Sequence, residues 1–190
     1  MPCSPIKAKG SDLLWVNETK YLGVVLKSGK TFSCNWQMAR SSYYRATNSI
    51  LSVLGANPSI QVALALGRSS CFPIIMYGLA AIPLTITEKS QLSFAYNSLF
   101  AKLFRIKEVS TIEQCQFFSG FWPFHSVYEF QRYSFLRQSF GNTGYCGSDS
   151  PDYPDYLDLI SIASKYQFNF DDSKAYLKFK MWKYLESSIF

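Results

Sequence analysis

A chain of 190 residues with 48% apolar and 17% charged side chains is long enough for one ordinary domain or two small ones, and too apolar to be intrinsically disordered. The net charge of +6 is uneven: residues 1–110 hold 12 Lys and Arg against 4 Asp and Glu, and residues 111–190 hold 7 against 9. A basic first part favours an anionic partner there, although ordinary solvated charge gives the same count. Cys3, Cys34, Cys71, Cys115 and Cys146 are odd in number and far apart, and His125 is the single histidine, so no closed zinc site is spelled out. Scattered thiols, and an N-terminus lacking a signal peptide's apolar core, fit an intracellular compartment better than secretion. The 16 Phe, 13 Tyr and 4 Trp point first to a core of large rings, with base stacking the rarer use.

Leu13-Leu14-Trp15-Val16, a turn at Asn17-Glu18, and Thr19 to Leu26 read as a β-hairpin closed by Ser28-Gly29-Lys30. From Asn35 to Leu54 the apolar positions Trp36, Ala39, Tyr43, Ala46, Ile50 and Val53 or Leu54 recur at helical spacing, and Gly55 is the stop. Arg40 and Arg45 lie off that stripe with Tyr44 between them. Asn57-Pro58-Ser59 makes a turn, and a second helix runs to Ser70 until Pro73 kinks or restarts it. Residues 69–87 carry no charge and just reach spanning length, but Pro73, Pro83 and Gly78 make a buried segment the better reading than a membrane span.

Thr87 caps a third helix through Phe104, with Leu92, Ala95, Tyr96, Leu99, Leu103 and Ile106 inward. Ser110 with Glu113 and Ser126 with Glu129 have capping-box spacing and open helices near 111–119 and 126–140. A loop rich in Gly, Asp, Ser and Pro fills 141–156, and two last helices follow near 155–166 and 173–188. The predicted fold is mainly α, with a short N-terminal β-hairpin, a helical bundle and further C-terminal helices.

Catalytic patterns are scarce. Polymerase chemistry needs carboxylates that hold two divalent ions about 3.5–4 Å apart. Asp12 and Glu18 are the only carboxylates before residue 27, and Asp171-Asp172 is simplest as the acidic start of the last helix. Asp152, Asp155 and Asp158 likewise suit a helix start better than a metal site. No Gly-x-Ser-x-Gly or glycine-rich phosphate loop occurs, and Cys115 with His125 is a weak candidate dyad.

Three segments in series carry a resemblance. Lys20-Tyr21-Leu22-Gly23-Val24 looks like the Lys-Tyr-Leu-Gly segment that ends the polymerase domain of non-LTR (LINE-type) retrotransposon reverse transcriptases. The helix with Arg40, Arg45 and Asn48 looks like the first thumb helix of that family. Pro73-Ile74-Ile75-Met76-Tyr77-Gly78 is similar to its Pro-x-x-x-Tyr-Gly motif further along the thumb. Together they span about residues 12–105. The resemblance implies a primer-grip hairpin at 1–30, a thumb-like domain at 31–110 and a helical post-thumb region at 111–190. It also implies a catalytic palm upstream of Met1 that is missing here, so the chain would be a non-catalytic fragment of an RNA-directed DNA polymerase. Mg²⁺ would belong to the full-length enzyme, and this chain is expected to need no cofactor.

The expected partner is nucleic acid, RNA/DNA duplex or single strand, bound weakly and without a membrane. Lys20, Lys27, Lys30, Arg40 and Arg45 could neutralise phosphates without reading sequence. Gly23, lacking Cβ, could let another backbone approach, and Tyr21 could face a sugar or base, though a core tyrosine is the simpler reading. The alternative is a helical protein-interaction module with no nucleic-acid role. A connected basic face would mark the first reading and a contiguous apolar patch the second.

Overall fold

In the computed structural model, which describes residues 6–8, 11–30, 33–55, 59–141 and 154–189, the N-terminal hairpin turns at Leu22-Gly23. Strands β1 (Lys7–Ala8) and β2 (Ser11–Asp12) make a short antiparallel pair. Strands β3 (Glu18–Tyr21), β4 (Val24–Lys27) and β5 (Ser33–Asn35) form an antiparallel sheet in that order. Tyr21 pairs with Val24 and Glu18 with Lys27, leaving two residues to make the turn. Both have positive φ, 45° at Leu22 and 85° at Gly23, as a type I′ turn requires.

This corrects the expected turn at Asn17-Glu18 and the expected pairing with Leu13 to Val16. Gly23 reaches positive φ without a Cβ clash, whereas Glu18 does not. The turn therefore forms inside the Lys-Tyr-Leu-Gly segment, and Glu18 opens a strand. Leu13 to Val16 is irregular, with the Leu13 N–H donating to the Ile6 carbonyl at 2.8 Å. Asn35, expected to begin the helix, closes β5 instead, and its Oδ1 accepts the Gln37 N–H at 3.0 Å.

Contacts divide the chain into a small unit, Met1–Gln37, and a helical unit, Met38–Phe190. Helix α1 (Gln37–Leu54) buries Tyr43 and Thr47, and Gly55 at φ 76° ends it by donating to the Leu51 carbonyl. Helix α2 (Ile60–Leu66) passes through a π-helical turn, Gly67–Cys71, into α3 (Phe72–Met76). The Phe72 N–H donates to the Gly67 carbonyl, five residues back. Pro73 sits in the first turn of α3, directly after the π-helical turn. Gly67 is buried because α4 needs the space: a Cβ there would lie 2.6 Å from Leu99 Cδ2.

Helix α4 (Ile86–Phe104) begins at Thr85, not Thr87. Thr85 and Glu88 form the reciprocal capping box, which the Thr-x-x-Glu spacing allows and Thr87 cannot. Helix α5 (Val109–Phe118) starts at Glu108, and α6 (Phe124–Gly141) starts after Pro123. Ser110 and Ser126 therefore lie inside helices, and neither expected capping box forms. Ser126 is buried, and Glu129 instead pairs with Lys165 and accepts from the Tyr166 hydroxyl. Helices α7 (Pro154–Tyr166) and α8 (Lys174–Ile189) complete the unit. Most of the expected 141–156 loop, with Asp152 and Cys146, lies outside the described residues, as do Cys3, Asn57 and Pro58.

Among the described residues, buried side chains gather at two places in the helical unit. Phe72 stacks on Phe100 with ring centres 5.8 Å apart and meets Tyr96 and Phe121, while the Tyr43 hydroxyl donates to the Tyr96 carbonyl at 3.0 Å. The other joins Phe130, Tyr133 and Leu136 of α6 to Leu159 and Ile162 of α7 and to Leu177, Met181 and Leu185 of α8. Ile60–Ala81 is long and apolar enough to cross a membrane by composition. Its Ala63, Leu64, Cys71, Phe72, Ile75 and Leu79 are buried within the protein.

Candidate nucleic-acid interface

Side chains alternate across a strand, and paired residues share a face. Lys20 and Lys27 therefore project from one face of the sheet, together with Glu18 and Asn35, while Tyr21 projects from the other. Glu18 lies directly opposite Lys27, and its carboxylate accepts from Asn35 Nδ2 at 3.1 Å. Lys20, Lys27 and Lys30 are exposed. Tyr21 is 64% exposed, against the expectation of a core ring. Gly23 is spent on the turn, so its missing Cβ has a local explanation.

Arg40 and Arg45 stand on α1, five residues apart, which separates them by about 140° around the helix axis. They do not share a patch. Arg45 is exposed and donates to the Ser42 hydroxyl at 3.2 Å. Arg40 is half-buried with an unpartnered Nε, one turn before Tyr44. Burial pushes the Tyr44 phenol above its usual range, and the Arg40 charge opposes that shift. Asn48, from the same segment, accepts from Lys102 Nζ at 2.6 Å and ties α1 to α4. The candidate cations thus come together as a pair on the sheet, Lys20 with Lys27, and diverge on the helix.

Among the described residues no three His, Cys, Asp or Glu side chains group as metal ligands. Asp172 accepts the Asn169 N–H at 2.8 Å and pairs with Lys180 at 2.7 Å. The Lys180 hydrogen bond holds its carboxyl below the usual range. Ser173 rather than Asp171 caps α8, accepting the Tyr176 N–H at 3.2 Å. Asp155 and Asp158 are not simply a helix start: with the Ala80 carbonyl they bind the guanidinium of Arg132, which is fully buried. Sequence spacing within α7 gives no sign of that partner.

His125 lies in the first turn of α6 rather than a loop. Burial lowers its pKa, Glu129 opposes the shift, and Lys89 and Lys165 add to it. It lines a cleft that Cys115 does not line, together with Tyr44, Lys102 and Lys107. These lysines escaped the sequence reading because residues from four helices meet there only in the fold.

Comparison with known proteins gives no match: no family model, no curated protein and no solved structure is significantly similar to the chain.

Proposed function

We propose that this chain is the primer-grip and thumb portion of a LINE-type RNA-directed DNA polymerase, binding nucleic acid without sequence preference and catalysing no polymerisation. The observation that carries the reading is the order of three segments: Lys20-Tyr21-Leu22-Gly23-Val24, the helix of Arg40, Arg45 and Asn48, and Pro73-Ile74-Ile75-Met76-Tyr77-Gly78. The first segment is centred on a hairpin turn and the second lies on an 18-residue helix. Exposed Lys20 and Lys27 on one sheet face suit phosphate neutralisation.

A titration of fluorescent primer–template and of single-stranded oligonucleotide tests it. Dissociation constants of roughly 10⁻⁴ to 10⁻⁶ M, weakening as salt rises, are expected for so few phosphate contacts. The Lys20→Ala/Lys27→Ala variant should weaken binding on every sequence and flatten the salt slope, and the Arg40→Ala/Arg45→Ala variant should do the same. Absence of binding at low salt defeats the proposal. Given primer, template, nucleotides and Mg²⁺, the purified chain should incorporate nothing. Incorporation abolished by Asp171→Asn would show a catalytic site at that pair.

One observation favours a second reading, a protein-docking module. Leu13, Leu14, Trp15 and Val16 are consecutive and 52%, 88%, 63% and 59% exposed. Such a run is a docking surface when a partner covers it. Failure of nucleic-acid binding in the titration above would leave this reading standing.

A further inference from the structure

A cleft of about 660 Å³ opens in the helical unit. It lies among α4, the loop that follows it, and α5, with Tyr44 of α1 and His125 of α6 completing the lining. Phe94, Ala101, Ile106, Val109 and Ile112 make its walls, and Lys102 and Lys107 contribute two cations. Among the described residues, no Asp or Glu lines it. Glu108, beside Lys107 in the chain, instead accepts from the Thr111 hydroxyl at 3.0 Å. Lys102 Nζ is held by a neutral amide oxygen, Asn48 Oδ1. Neither lysine is in an ion pair among the described residues.

The volume falls in the range of small-molecule sites, about 300–1,000 Å³. Apolar walls gain by covering a hydrocarbon or aromatic body. Two lysines left without counter-charge gain most from an anion, because charge-assisted hydrogen bonds strengthen where the apolar body excludes water. We propose that this cleft binds a small amphipathic anion, an aliphatic or aromatic body bearing one carboxylate. The body rests on Phe94, Ile106 and Ile112, and the carboxylate meets Lys107 and Lys102. None of the residues lining it is among the proposed nucleic-acid contacts, and the proposal does not depend on them.

The test is calorimetric titration of the full chain with decanoate and, in parallel, with decanol, below the concentration at which either aggregates. Decanoate should bind at least about tenfold more tightly than decanol, a difference of about 1.4 kcal/mol. Lys107→Glu should erase that preference while leaving decanol affinity in place. Val109→Trp, a change at a position 56% exposed, should block both ligands by filling the mouth, with helix content by circular dichroism confirming that each variant folds. No binding of decanoate, equal affinity for the two ligands, or an unchanged preference in Lys107→Glu overturns the proposal.

Discussion

Arg132 carries a buried charge at the junction of helices in the helical unit. Its side chain is fully buried, yet it sits between Asp155 and Asp158 of α7 and the Ala80 carbonyl, so one cation of α6 joins two other parts of the unit. Removing one partner of a buried ion pair leaves the other charges uncompensated, a loss of about 3–5 kcal/mol. Both carboxylates are more than a third exposed and can rehydrate, which puts Arg132→Ala near the lower end, about 3 kcal/mol. Urea unfolding of that variant measures it, and a loss under about 1 kcal/mol would contradict the assigned role. Arg132→Lys should recover only part, since an ammonium cannot fork to three acceptors in fixed directions.

Among the elements, α4 has its start set by reciprocal side-chain chemistry. Thr85 accepts the Glu88 N–H while the Glu88 carboxylate accepts the Thr85 N–H, so both orphan donors are satisfied. Thr85→Ala should cost about 1 kcal/mol and speed hydrogen exchange in the first turn without touching the Arg105 end. Equal exchange in the two proteins would mean the box is decoration. The run from α2 to α3 shows the opposite control. There the π-helical turn and Gly67 answer to α4 across the interface, since Leu99 occupies the place a Cβ would need.

For the whole molecule, buried phenols set the response to alkali. Burial raises Tyr43 and Tyr96 above the ordinary value of 10, and neither can ionise without leaving the core. Because the folded pKa is the higher one, their contribution is fully present below about pH 10 and is lost as pH rises beyond it. The protein should therefore unfold on the alkaline side with a surge of phenolate absorbance. Tyr43→Phe/Tyr96→Phe should move that midpoint to higher pH, even though it removes the hydrogen bonds to the Tyr96 and Trp122 carbonyls. A midpoint that stays put would assign alkaline unfolding to other groups. The net charge of +6 belongs to the same scale. It favours anionic partners generally and selects none of them.

What the sequence determined by itself was periodic or chemically local. Apolar spacing placed α1 and α4, and Gly55 stopped α1, because a helix buries one face and ends where a left-handed residue is cheap. The mainly helical class with a small N-terminal hairpin followed from that. The same local rules misread the hairpin's register: the turn expected at Asn17-Glu18 forms instead at Leu22-Gly23, both at positive φ, where glycine takes one of the two positions without strain. Tertiary structure alone decided the rest. Ser110 and Ser126 have the spacing of caps but lie inside helices, Asp155 and Asp158 serve a cation on another helix, and Lys102, Lys107 and His125 reach one cleft from different elements. Spacing along a chain reports which residues share a face. Which faces then meet is settled by packing, and there sequence separation carries little information.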